Sequence, residues 1–190
     1  MCEEVESMYT LFIDTHDELI TVALVNNEKV IQKTKESLYS HAVYLMPMIQ
    51  DILKENGLTV KNIKDIVAVN GPGSFTGLRI GLSAAKVMAY SLNIPIYLVS
   101  SLSAYLVSSD IKGSKEAVIE DNKGYYISLF DENNKPIIEE IYKEDISEYN
   151  YPKVEEKLDV KKVVLYAKSF EPVRAHLVRA NYVKKIEVEK

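Results

Sequence analysis

Residues Asn70–Gly81 read NGPGSFTGLRIG and stand between a β-branched run, Asp65–Val69 (DIVAV), and an apolar stretch that continues to Leu92. A short β-branched run reads as a buried strand. Four glycines and a proline directly after it supply permissive backbone on either side of a fixed φ, which dictates a sharp strand-to-helix turn. Ser74 or Thr76 can cap the helix that follows. Such a loop offers backbone N–H groups at a positive helix end, so one reading is an anion or nucleotide cradle with Asp14, Gly73 and Ser74 as its candidates. The other is a tight connection whose glycines only relieve crowding. The segment lacks the Lys-Ser/Thr ending of a Walker loop and the G-x-G-x-x-G spacing, which favours the second.

The crossover continues in Ile94–Ser100 (IPIYLVS), a further buried strand, and in a short helix over Ser101–Ser108. Strand, loop, helix and strand make a βαβ unit in a parallel sheet. Upstream, Tyr9–Ile13, Leu19–Asn26 and Glu28–Thr34 read as strands, with Asn26–Asn27 as a hairpin turn. Ser40–Asn56 reads as a helix with Ser40 at its N-cap and Gly57 past its end. Pro47 in its interior predicts a kink. Its apolar residues, Ala42, Val43, Leu45, Met46, Met48, Ile49, Ile52 and Leu53, exceed the single stripe a helix needs to lie on its own sheet. The surplus points to a second helix or another chain.

In the helix after the glycine loop, Gly77, Gly81, Ala85 and Ala89 recur every fourth residue and form one ridge. Glycine inside a helix costs about 1 kcal/mol relative to alanine, so close approach by another element is expected. That element is either the parent sheet or a partner subunit. Asp110–Lys115 (DIKGSK) reads as a linker, which divides the chain into residues 1–109 and 110–190. In the second part, Glu116–Glu120, Tyr125–Phe130 and Ile137–Tyr142 alternate as strands, with Asp131–Asn134 as a hairpin turn. Val163–Tyr166 reads as another strand and Pro172–Ala180 as a short helix. The lysine and glutamate run at the carboxyl end reads as a solvated face.

The chain has 190 residues with 23 basic and 28 acidic side chains, a formal net charge of −5. A protein that wraps nucleic acid alone carries a basic face, so any nucleic acid is expected to be held by a partner. The single cysteine, Cys2, excludes an internal disulfide and cysteine-based zinc sites and fits a reducing compartment. The acidic start MCEEVES is unlike a secretory signal, and no apolar stretch approaches a membrane span. A cytoplasmic location without membrane contact is the expectation.

The three histidines, His16, His41 and His176, are far apart and form no H-x-x-x-H or H-E-x-x-H pair. No metal site and no catalytic residue is expected. Ser74 lies in P-G-S-F-T-G rather than a G-x-S-x-G elbow. Asp14, at a strand end, can hold a magnesium–phosphate group, but Asp17 and Glu18 beside it would repel a triphosphate. A turn or capping role suits Asp14 better.

Ile13-Asp14-Thr15, His41 followed by Leu45-x-Pro47, GPGSFTGLRIG over Gly71–Gly81, Pro95 and Val99–Leu102 together resemble the bacterial tRNA threonylcarbamoyladenosine biosynthesis family TsaB, also called YeaZ. The resemblance covers residues 9–108 well and the rest poorly. It implies an α/β, actin-like and Hsp70-like fold of two ribonuclease-H-like lobes, here with a short second lobe. It also implies an accessory role: binding a TsaD-like catalytic subunit, with a TsaE-like ATPase, to modify tRNA that is contacted through the complex. ATP and metal are then expected on the partners and no cofactor on this chain. The catalytic relative's H-x-x-x-H pair falls near Ser101 and Tyr105, neither a good metal ligand. The family's two long first-lobe helices meet a partner, or a second copy when alone, which makes His41, Leu45, Met48, Gly77, Arg79, Gly81, Ala85 and Ala89 the expected interface. His16 departs from the small residue usual after I-D-T. An ATP-dependent phosphotransferase or ATPase built on Asp14 and the glycine loop is the alternative.

Overall fold

A computed structural model describes residues 8–27, 29–38 and 40–183. Cys2, the acidic start, Glu28 and the end of the carboxyl-terminal charge run lie outside the described residues.

Strands β1 (Tyr9–Asp14), β2 (Leu19–Val25) and β3 (Val30–Glu36) form an antiparallel meander. To its β1 edge are added β4 (Ile63–Val69) and β5 (Ile96–Val99), both parallel to β1, giving the order β3-β2-β1-β4-β5. Helices α1 (His41–Glu55) and α2 (Phe75–Leu92) cover one face of this sheet, and α3 (Ser101–Ser108) and α4 (Val160–Ala167) the other. Alternation along the strands follows from this layering, since successive side chains point to opposite faces. Leu11, Ile13, Val22, Leu24, Ile66 and Ala68 pack with α1 and α2, while Phe12, Ala23, Val25, Val67 and Val69 pack with α3 and α4. Both faces are buried, so β1, β2 and β4 read as continuous apolar runs. This is the α/β, ribonuclease-H-like arrangement expected for the first lobe.

The second sheet is the antiparallel meander β6 (Lys115–Asp121), β7 (Gly124–Phe130) and β8 (Pro136–Lys143). The Asp131–Asn134 turn joins β7 to β8, with the Asp131 carboxylate accepting from Asn133 and Lys135 N–H groups. Ala117, Phe130, Val154, Val163 and Val164 share one apolar cluster with Phe12, Ala23 and Val67 of the first sheet.

Two local expectations are corrected. Val163–Tyr166 is not a strand but part of α4, because Val160, Val163, Val164 and Ala167 are buried at helical spacing and Asp159 caps the first turn through the Lys162 N–H. The helix expected over Pro172–Ala180 shrinks to a 3₁₀ turn at Ala175–Leu177; Val173 instead pairs with Ile96 at the edge of β5. Ser40 stands at the N-cap of α1 as expected, without a side-chain cap bond, and its own N–H donates to the Ser37 hydroxyl. Helix α1 is continuous through Pro47, which is exposed.

Candidate functional site

The β1–β2 turn and the start of α2 meet at van der Waals limits. Ser74 caps α2 by accepting from the Gly77 N–H (3.2 Å), and the Ser74 N–H donates to the His16 carbonyl (2.6 Å). The Thr15 hydroxyl donates to the Gly77 carbonyl (2.8 Å). A Cβ on Gly77 would fall well inside 3.0 Å of the Thr15 carbonyl, and one on Gly81 would do so against the Thr15 hydroxyl. Gly73 is equally crowded by the His16 backbone. The glycine spacing thus records the passage of one short turn, Thr15–His16, across the first two turns of the helix.

That turn carries a buried polar chain. The Asp14 carboxylate accepts from the His16 N–H (3.0 Å) and lies 2.7 Å from His16 Nδ1, while His16 Nε2 is 2.8 Å from the Tyr105 hydroxyl. All three side chains are about 2% exposed. Burial pulls the His16 pKa down, but the charge and hydrogen bond of Asp14, helped by Asp17 and Glu156, outweigh it and hold His16 above its ordinary 6.5. Burial, together with Asp17 and Asp14, pushes the Tyr105 hydroxyl far up. His16 thus bridges the Asp14 carboxylate on its Nδ1 side and the Tyr105 hydroxyl on its Nε2 side. Ser101 is also internally satisfied, donating to the Pro72 carbonyl at 2.5 Å. Ser101 and Tyr105 are thus both bonded within the chain, to the Pro72 carbonyl and the His16 ring.

Asp14, Gly73 and Ser74 are brought together as the sequence suggested, and His16 joins them to one another. Among the described residues no group of three or more His, Cys, Asp or Glu side chains could hold a metal ion. Nothing in the sequence marked His16 or Tyr105 as partners, for they are 89 residues apart.

The expected interface residues divide sharply. Leu45, Met48, Ala85 and Ala89 lie in the core between helices and sheet, and Gly77 and Gly81 face Thr15. His41 is buried, with Nε2 2.8 Å from the Asp17 carbonyl. Of the two neighbours expected for the small-residue ridge, it is the chain's own sheet and the Thr15 turn that lie against it, and the small side chains let α2 come this close. Arg79 alone of the set is exposed. It lies with Ala42, Leu45, Met46, Phe75, Thr76 and Ile80 around a groove of about 530 Å³ between α1 and α2. Val43 (64% exposed) and Met46 on α1, and Phe75, Val87 (63%) and Tyr90 (79%) on α2, are exposed apolar side chains. The over-wide apolar character of α1 is accounted for by the exposed Val43 and Met46.

The family model described as TsaD, tRNA N6-adenosine threonylcarbamoyltransferase, matches residues 35–161, which include α1, the glycine loop and α2. The chain belongs to that family, on its TsaB (YeaZ) branch. The tRNA threonylcarbamoyladenosine biosynthesis protein TsaB of Bacillus subtilis strain 168 is 40% identical over 96 residues, covering 50% of this chain and 42% of that protein. TsaB of Escherichia coli K12 is 38% identical over 95 residues, covering 50% of this chain and 41% of its own length. The matched region is thus less than half the length of these curated relatives. Two crystal structures of Pseudomonas aeruginosa proteins share the fold. YeaZ superposes with a TM-score of 0.77 at 20% identity, covering 92% of this chain and 99% of that one. An uncharacterised protein with similarity to peptidase YeaZ gives 0.78 at 19%, covering 93% and 100%.

Among the described residues no helix is long and apolar enough to cross a membrane.

Proposed function

We propose that this TsaB-branch chain is an accessory subunit of tRNA N6-threonylcarbamoyladenosine synthesis that works by docking a TsaD-like catalytic subunit on the α1–α2 face. The observation that carries the reading is the groove between α1 and α2, lined by the exposed Met46 and Phe75, with Val43 and Val87 also exposed on the same two helices. Exposed apolar surface of this kind marks interaction sites, and the named relatives supply the pathway. In this reading the chain performs no catalysis, ATP and metal belong to the partners, a TsaE-like ATPase joins the assembly and tRNA is met through the complex. Alone, the same face pairs with a second copy. The Asp14 carboxylate supports this over a nucleotide-hydrolysing role, since His16 already takes two of its acceptor positions.

The test is titration of the full chain with its cognate TsaD-like subunit. A defined complex is expected, and Val43→Asp with Val87→Asp lowers the affinity at least 100-fold while the unfolding midpoint stays near wild type, because both positions are solvent-exposed. Absence of a complex, or magnesium-dependent ATP hydrolysis by the isolated chain, overturns it.

A further inference from the structure

The carboxyl-terminal segment returns to the glycine loop. Val178 is buried in the core shared with α1 and α2, and Ala180 packs against it. The Asn181 N–H donates to the Asn70 carbonyl at 2.7 Å, and its side-chain amide donates to Glu140 of β8. Pinned at these points, the segment lays the Tyr182 ring beside Phe75, with centroids 5.7 Å apart. Arg79, one turn along α2, has its guanidinium 3.8 Å from the Phe75 ring centroid, and its Nε donates to the Tyr182 hydroxyl at 3.4 Å. Phe75, Arg79 and Tyr182 therefore form one stack at the mouth of the α1–α2 groove.

Among the described residues Arg79 has no carboxylate partner, and its only hydrogen bond uses Nε. The two terminal nitrogens are thus uncommitted within that set. An unrestrained arginine carries considerable rotamer entropy. Stacking on one ring and bonding to another restricts it before any partner arrives, and a planar guanidinium held in place is matched in shape to a carboxylate.

We propose that residues 178–182 act as a strap that presets Arg79 to take a carboxylate of the docking subunit, with Tyr182 as its positioning residue. The proposal rests on the docking reading above and specifies its chemistry: an apolar partner surface that carries an acidic side chain opposite Arg79. The strap connects three parts of the chain, β8 through Glu140, the loop through Asn70 and α2 through Phe75 and Arg79, so its seating follows the relative position of the two sheets.

The experiment is calorimetric titration of the cognate TsaD-like subunit at two ionic strengths with wild type, Tyr182→Ala, Tyr182→Phe, Arg79→Ala and the Arg79→Ala/Tyr182→Ala pair. Tyr182→Ala is expected to weaken binding about tenfold and to flatten its salt dependence, as Arg79→Ala does, since a displaced cation no longer makes the charged contact. Tyr182→Phe, which keeps the ring, stays within about threefold of wild type. Adding Tyr182→Ala to Arg79→Ala produces no further loss. In the isolated chain, Asn181→Ala speeds amide exchange over residues 70–79. Wild-type affinity for Tyr182→Ala, an equal loss in the Arg79→Ala background, or unchanged exchange in Asn181→Ala overturns the strap. Failure of the wild-type chain to bind removes the docking reading instead, and the exchange measurement still judges the strap's seating.

Discussion

Gly81→Ala sets two effects of known sign against each other. In an ordinary helix interior the alanine would stabilise by up to about 1 kcal/mol. Here its Cβ would overlap the Thr15 hydroxyl, with the Thr15 Cβ and Cγ2 each only 3.3 Å away. Rotating Thr15 aside would give up its hydrogen bond to the Gly77 carbonyl, worth roughly 0.5–1.5 kcal/mol. Forcing a methyl into a packed interior costs about 1–3 kcal/mol. The overlap outweighs the helix gain, and a net loss of about 1–2 kcal/mol is expected. With a urea slope of about 2 kcal/mol/M, the midpoint falls by roughly 0.5–1 M. The decisive control is Thr15→Ala, which removes the atoms in the way. In that background Gly81→Ala should cost close to nothing, a coupling of about 1 kcal/mol or more between the two sites. Urea unfolding of the four proteins in this cycle checks it. If Gly81→Ala matches or exceeds wild-type stability, or costs the same in both backgrounds, helix propensity governs and the close approach of Thr15 has been misjudged.

Two further outcomes follow from buried charge. The folded-state pKa of His16 is raised, so its stabilising contribution is complete below about pH 6.5 and is lost as pH rises through the folded value; urea unfolding across pH 6–9 should show the gap between wild type and His16→Gln narrowing with pH, and a widening gap refutes the assignment. Lys168 Nζ lies 2.5 Å from Asp65 Oδ2, while Asp65 Oδ1 is buried without a partner among the described residues. Lys168→Ala should therefore cost about 1–3 kcal/mol by leaving that carboxylate unsatisfied, with Asp65→Asn/Lys168→Ala recovering much of it; thermal unfolding distinguishes this from a dispensable surface pair.

Much of the first sheet was legible because its strands are buried on both faces. The runs YTLFI, DIVAV and IPIYLV read as strands for that reason, and the Ser74 cap opens α2. The second half was less legible. Val160–Ala167 is eight residues long, and a short valine-rich segment satisfies a strand pattern as readily as a helical one; its burial against Phe12 and Val67 decides for the helix. The ridge Gly77-Gly81-Ala85-Ala89 showed that something comes close to α2 but not what. The Thr15–His16 turn is 62 residues away in sequence from the glycine it touches.

The sequence by itself determined the βαβ turn at Gly71–Gly81, the small-residue ridge behind it and the surplus apolar surface of α1, because each is written in local periodicity and backbone permissiveness. The tertiary structure alone decided which surface is left outside. It turned the ridge inward onto Thr15 and left Val43, Met46, Val87 and Tyr90 exposed. It joined Asp14, His16 and Tyr105, and laid Tyr182 over Phe75 and Arg79. Those contacts link residues 89 and more than 100 positions apart, and no local spacing encodes which distant side chain fills a given space once both faces of a sheet are covered.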